Sequence, residues 1–378
     1  MVINDFKLEN FFSKYEFNAP YLLTQSDCES MSVEELLSLE DGAGERLKKL
    51  WLGYTETWGD PELRCLISSL YETISDEQVL ITHGAQEAIF LCMNVLLNPG
   101  DHIIVLYPNY QSLYEIINAI PGCTYSKWEL HDGGDRWFAE LNELDALFRP
   151  STRLVVISTP NNPTGFAFRN EEVSRLIELC GRHGCSLLAD EVYHGLNLDG
   201  ENRLWLADQY DKAISIGVLS KSYGLPGLRV GWIAGKDSDV LKKIEKFKHY
   251  TSICDSAPSE FLAKIALRHT NVLMERNKEI IRNNMHYAHL FFKKHESLFQ
   301  EKKFFNGPIT FHRFRGAEGV DEFCRKAIDQ KGILLAPSSV FEAQGEYFRM
   351  GYGRLSFQKG ISKLEEFLEE HNYHKMLE

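Results

Sequence analysis

Ser215-Ile216-Gly217-Val218-Leu219-Ser220-Lys221-Ser222-Tyr223-Gly224-Leu225-Pro226-Gly227-Leu228-Arg229-Val230-Gly231-Trp232 is the stretch on which the fold turns. An apolar strand pattern runs into a lysine, then into a turn shaped by Gly224, Pro226 and Gly227, then into an arginine. A lysine at the mouth of a strand must be desolvated or paired to sit there. Such an amine suits a nucleophile that forms a Schiff base, with Arg229 near enough in sequence to grip a phosphate. The competing interpretation is a surface turn carrying two cations.

Working outward, short apolar runs alternate with longer amphipathic ones. Val79–Thr82, His102–Tyr107, Leu154–Ser158, Ser186–Asp190 and Ala213–Val218 have the pattern of strands, and Ala85–Leu97, Tyr110–Ala119 and Glu171–Arg182 that of helices between them. This alternation predicts an α/β fold with a mostly parallel sheet and helices on both faces. After about Asp239 the pattern changes. Helical periodicity runs through Leu241–Tyr250 and roughly Ser259–Phe299. Strand-like segments follow at Phe304–Phe311, Ile333–Ala336 and Tyr347–Tyr352, with helices near Asp321–Gln330 and Ser362–His371. The expected division is a large domain over residues 46–255 and a smaller α/β domain built from 1–45 and 256–378. Near the start, Ser32 and Glu35 have the spacing of a capping box, and Asp60-Pro61 begins a helix to about Leu70.

The bulk properties narrow the function. The chain has 378 residues, 44% hydrophobic and 25% charged, as an ordinary globular protein does. A formal net charge of −13 argues against a nucleic-acid binder, which needs a basic footprint. No apolar run approaches a membrane span, and the first twelve residues lack the pattern of a signal peptide. The eight cysteines form no C-x-x-C pair, which fits free thiols in a reducing cytoplasm and gives no metal site.

The chemically loaded residues fall at the ends of the expected strands, where ligands bind in open α/β sheets. Thr82-His83-Gly84-Ala85-Gln86 switches from strand to helix, and a helix start favours an anion by about 0.3–1 kcal/mol through its dipole. Tyr107-Pro108-Asn109-Tyr110 offers an aromatic that could cover a flat ring. Asn161-Asn162-Pro163-Thr164-Gly165 is a rigid loop that presents an amide. Asp190 ends a buried strand and should face a cation, such as a protonated ring nitrogen; Tyr193 follows three residues later. Glu191 and His194 are expected at the surface or behind these residues. An aldehyde for Lys221, a phosphate for Arg229 and the Gly84 helix, and a pyridinium for Asp190 together describe pyridoxal 5′-phosphate.

Asn161–Gly165, Asp190-Glu191-Val192-Tyr193 and Ser220–Trp232, in this order and spacing, resemble the signatures of the class I and II aminotransferases of the fold-type-I pyridoxal-phosphate enzymes. The resemblance covers roughly residues 50–355. It implies a homodimer that moves an amino group from an amino acid to a 2-oxo acid. It implies Lys221 as Schiff-base lysine and proton-transfer catalyst, Asp190 on the pyridine nitrogen, and Asn162 and Tyr193 on the ring 3-oxygen. Tyr110 would stack on the ring, Gly84, Ala85 and Gln86 would cradle the phosphate, and Arg229 would be its cation. Tyr54 would reach the phosphate from the partner subunit, and Arg349 would clamp the substrate α-carboxylate; without the family, Arg349 reads as a surface residue at a strand edge. Two departures stand out. The family carries Ser or Thr three residues before the lysine, where this chain has Val218, leaving Ser220 and Ser222 as the hydroxyls nearby. The usual glycine-containing N-terminal loop is replaced by Leu22-Leu23-Thr24-Gln25-Ser26-Asp27-Cys28-Glu29. Thr82-His83-Gly84, Ser220–Trp232 and Phe348–Gly353 also resemble the capreomycidine synthases, cyclising enzymes of the same fold, so a lyase or cyclase is the alternative.

Overall fold

In the computed structural model, residues 3–304, 306–371 and 373 are described. Eight strands form the principal sheet: β1 (Val79–Thr82), β2 (His102–Tyr107), β3 (Thr124–Asp132), β4 (Trp137–Ala139), β5 (Thr152–Ser158), β6 (Ser186–Asp190), β7 (Ala213–Val218) and β8 (Gly231–Gly235). Their spatial order is β1-β8-β7-β6-β5-β2-β3-β4. The run β7-β6-β5-β2-β3 is parallel, while β8 lies antiparallel to both β7 and β1. Two reversals restore direction, so β1 points the same way as β7. The C-terminal ends of β1, β2, β5, β6 and β7 therefore share one edge, and β8 starts from it.

The continuous apolar runs follow from burial on both faces. Along β2, Ile103 and Val105 pack in one core with Leu91 and Cys92, while Ile104 and Leu106 pack in another with Leu176 and Leu179. Successive side chains point to opposite faces of a strand, so a sheet covered on both sides reads as unbroken hydrophobicity. The helices α1 (Lys7–Tyr15), α2 (Gly84–Leu96) and α3 (Asn170–His183) precede or cross over this sheet. The expected capping box is present: Ser32 Oγ accepts from the Glu35 amide at 3.1 Å, and Glu35 Oε2 accepts from the Ser32 amide at 2.6 Å. Asp60 caps the helix that opens with Pro61 by accepting from the Glu62 and Leu63 amides.

Downstream come α4 (Ser238–Lys248), α5 (Ala257–Arg268), α6 (Thr270–Lys294), α7 (Val320–Lys331) and α8 (Phe357–Glu370). Strands β9 (Phe299–Gln300), β10 (Ile309–Phe314), β11 (Ala336–Pro337) and β12 (Tyr347–Gly351) make an antiparallel sheet in the order β9-β10-β12-β11. Phe291 and Phe292 of α6, Phe323 of α7, Phe348 of β12 and Phe367 of α8 meet in its core. Three sequence expectations are corrected. The helix read over 259–299 is two helices that break at His269, where the Thr270 hydroxyl donates to the Leu267 carbonyl at 2.7 Å. The helix read over 110–119 is one α turn followed by a 3-10 turn, because Pro121 forbids an α continuation. The strand read over 333–336 is divided: Ile333–Leu334 pairs with Tyr21–Leu22, and β11 pairs with β12. Residue 305, inside the strand expected at 304–311, lies outside the described residues.

Candidate active site

At the shared strand edge a cavity of about 640 Å³ opens, lined by Ala85, Gln86, Tyr110, Asn162, Asp190, Tyr193, Ser220, Lys221, Arg229 and Arg349. Each strand contributes at or just beyond its last residue, where the ladder ends and side chains can converge. One end of the cavity is cationic. Arg229 takes the left-handed conformation (φ 55°) and donates through Nη1 to Ser220 Oγ at 3.3 Å. Gly84 stands opposite with φ +73°, where a Cβ would lie 2.5 Å from Arg229 Nη2. Gly231, at the start of β8, approaches so closely that its Cβ would meet the Gly84 carbonyl carbon at 2.7 Å. The two glycines thus let the N-terminus of α2, with its unpaired amides, meet the guanidinium.

Asp190 sits 6% exposed at the end of β6. Its carboxylate accepts one long bond from the Val192 amide, at 3.3 Å, and burial pushes its pKa up to about 6. A carboxylate so poorly solvated favours a cationic partner. Lys221 Nζ donates to Ser26 Oγ at 2.9 Å, and burial lowers its pKa, which favours the neutral, nucleophilic amine. Ser26 also hydrogen-bonds the buried Tyr193, whose phenol pKa burial raises. Tyr110 donates to Glu9 Oε1 at 2.8 Å, and its ring lies 5.0 Å from that of Phe6.

Arg349 is fully buried on β12, an inner strand between β10 and β11. That overturns the surface placement which its sequence context alone suggests. Its Nε donates to the Thr24 carbonyl at 3.0 Å and its Nη1 to Asn162 Oδ1 at 2.8 Å, while Nη2 has no partner among the described residues. The guanidinium faces the rings of Phe12 and Phe341 at 5.5 and 5.2 Å. A buried cation with an unspent donor pair fits an incoming carboxylate.

Other expectations are refined. Val218 lines the cavity, and of the two neighbouring hydroxyls only Ser220 faces Arg229; Ser222 donates to the Val192 and His194 carbonyls. Glu191 is not a surface residue. It is 2% exposed and hydrogen-bonded to Ser215 and the Leu206 amide, and burial lifts its pKa to about 8. Tyr54 does not line this cavity. It is 88% exposed at a separate hollow shared with His83 and Asp255. Residues the sequence did not flag also enter the wall: Phe6, Glu9, Phe12 and Glu16 from the α1 region, Gln25, Ser26 and Asp27 from the replaced loop, and Arg354. Isolated glutamates in an amphipathic helix carry no motif, so nothing in the linear pattern marked them.

The residues fit pyridoxal phosphate: an under-solvated carboxylate for the ring nitrogen, an amine for the aldehyde, and a cation and helix start for the phosphate. The comparisons agree with that class. A pyridoxal-phosphate-dependent aminotransferase from Streptococcus suis 89-1591 superposes with a TM-score of 0.91 at 30% identity, covering 98% of this chain and 99% of that one. The architecture is thus that of the fold-type-I pyridoxal-phosphate enzymes. The sequence profile for "Aminotransferase class I and II" matches residues 22–370, and the chain belongs to that family. An aspartate aminotransferase of Sulfurisphaera tokodaii is 28% identical over 357 residues, 88% of this chain and 86% of the relative. A capreomycidine synthase of Streptomyces vinaceus is 28% identical over 369 residues, 96% and 94% of the two chains. The protein is a pyridoxal-phosphate-dependent transferase that moves an amino group from an amino acid to a 2-oxo acid.

Proposed function

We propose that Lys221, Asp190 and Arg349 divide the work of amino-group transfer in this cavity. The observation that carries this is the meeting of a low-pKa amine, a desolvated carboxylate and a buried, incompletely paired guanidinium in one cavity. The cofactor, when bound, supplies an aldehyde and an electron-withdrawing ring that makes the substrate Cα–H acidic. Lys221 Nζ is the amine that would hold that aldehyde. When not so engaged, the same amine, kept neutral by burial, would act as the base for the substrate Cα proton. Asp190 Oδ keeps a proton on the ring nitrogen by charge-assisted hydrogen bonding. Asn162 and Tyr193 serve the ring 3-oxygen, and Tyr110 covers the ring face. Arg229, Ser220 and the Gly84-Ala85-Gln86 amides would hold the phosphate. Arg349 orients the substrate by its α-carboxylate, with Asn162 fixing the guanidinium.

We further propose a homodimer in which Tyr54 serves the partner's phosphate. Trp51, Leu52, Tyr54 and Tyr250 are 78%, 77%, 88% and 89% exposed, a concentration of apolar surface that supports an interface. The cofactor-holding domain is assigned to residues 46–255 and the smaller domain to 1–45 and 256–378. All eight cysteines are free, which supports a cytoplasmic setting; no described helix is long and apolar enough to cross a membrane. The cyclising relative's near-full coverage favours one second reading, elimination or cyclisation at the same site. Incubating the holoenzyme with amino acids, with and without a 2-oxo acid, decides between them. Transamination past the first half-turnover requires the acceptor, whereas continuous turnover without it rejects the main proposal for the second. Lys221→Ala should remove the cofactor's lysine-bound absorbance and abolish transfer; retained transfer would refute the role of Lys221.

A further inference from the structure

We propose that the N-terminal wall of the cavity selects an amino acid whose side chain ends in a cation, a guanidinium or an ammonium, bound by Glu16 and Glu9 together with the Gln25 side-chain carbonyl. The proposal rests on the amino-acid reading above and names the substrate class for the same site. Three carboxylates, of Glu9, Glu16 and Asp27, stand in this wall. Asp27 has its cation, Arg354, at 2.7 Å. Glu9 and Glu16 form no ion pair among the described residues; Glu9 accepts from Tyr110 and Glu16 from Gln25 Nε2 at 2.8 Å.

The second observation is independent of those charges. Gln25 is 4% exposed, lines the cavity, and its Oε1 accepts from nothing among the described residues. Its orientation is fixed by the bond from Nε2 to Glu16, so the unpartnered atom is an acceptor. The wall therefore presents an unpartnered acceptor and two carboxylates without a cation, while its one guanidinium, of Arg354, is held by Asp27 and keeps a single unpartnered Nε donor among the described residues. Burial, then Asp27 and Glu9, push the Glu16 pKa up, a strain that an incoming cation relieves. A distal carboxylate would find no cation to spare. Arg349 holds the α-carboxylate, Arg229 stands at the phosphate end, and the charge of Arg354 is met by Asp27 through Nη2, which leaves only its Nε donor unpartnered among the described residues. Lys221 is committed to the cofactor aldehyde or, once displaced, to proton transfer at the substrate Cα. A purely apolar side chain would leave Gln25 Oε1 and the half-buried Glu16 carboxylate without a partner. Phe6, Phe12 and Tyr110 instead suit the methylene stem behind a cationic head.

The test uses the holoenzyme and carboxylates that lack the α-amino group and so bind without reacting. Calorimetric titration compares 5-guanidinopentanoate and 6-aminohexanoate with hexanoate and glutarate. At least one cationic probe should bind roughly tenfold to a hundredfold more tightly than hexanoate or glutarate, the range for a hydrogen bond to a charged group. Glu16→Gln should shrink that margin by about tenfold, and Glu9→Gln, a second and independent change, should shrink it as well. Glutarate or hexanoate binding as tightly as both cations overturns the proposal. So does a margin unchanged in both variants, or no measurable binding by any probe. A parallel panel of amino acids, read by the cofactor's absorbance, separates the two levels. If no amino acid alters the spectrum, the transfer reading fails, while the binding contrast still decides the side-chain preference.

Discussion

Asp190→Asn should stabilise the cofactor-free protein while disabling the loaded enzyme, and the size of the effect follows from burial. The Asp190 carboxyl rises from its ordinary 3.8 to about 6 in the folded chain because the site desolvates it. For an acid shifted upward, the folded state binds more protons than the unfolded state between those two values. Stability is therefore lost as pH rises through that window and stays lost above it. A rise of this size costs about 3 kcal/mol above pH 7, and about half of that at pH 5. Asparagine cannot ionise but can still accept from the Val192 amide, so the variant escapes this cost. Urea unfolding of the cofactor-free proteins should favour the variant, with an advantage growing by about 1.4 kcal/mol between pH 5 and 7.5. Other titrating groups cancel in the comparison of variant with parent. Once cofactor binds, its protonated ring nitrogen offsets the burial cost in the parent alone. The variant should keep much of its phosphate-anchored affinity and lose most of its turnover. A variant no more stable than the parent, or an advantage that does not grow with pH, would show that Asp190 is not held uncompensated. Turnover near that of the parent would remove Asp190 from the mechanism.

Arg349→Lys should raise KM for the amino acid roughly tenfold to a hundredfold, since a point charge cannot replace the fork of donors facing a carboxylate; an unchanged KM in steady-state assays would reassign Arg349. Val218→Ser should tighten cofactor binding by about twofold to tenfold, by adding a hydroxyl where the wall is apolar. Fluorescence titration of the cofactor-free protein checks this, and weaker binding would mean that Val218 packs against the phosphate end instead. Tyr54→Phe should weaken cofactor affinity without changing the oligomeric state seen by sedimentation, whereas unaltered affinity would leave Tyr54 a surface residue.

Much of this protein was legible in its linear sequence. The strands His102–Tyr107 and Ala213–Val218 announce themselves because burial on both faces demands unbroken apolar runs. Lys221, Asp190, Asn162 and Gly84 stand out because each is a polar or permissive residue set where a strand must end. Periodicity could not show that β8 turns back between β1 and β7, since strand order depends on pairings between residues far apart in the chain. Nor could it separate α5 from α6, because the apolar pattern continues across a break made by local hydrogen bonding. The site divides in the same way. Its chemistry is set by residues in strand-end motifs, whereas its selectivity depends on Glu9, Glu16 and Gln25. These are ordinary positions that acquire meaning when the N-terminal segment folds over the cavity, bringing all three to its wall and burying Gln25 and, in part, Glu16. Arg349 shows the same dependence most plainly. Its position in sequence fits a strand edge, and only packing beneath Phe12 and Phe341, with Thr24 and Asn162 as partners, makes it a buried cation with a donor to spare.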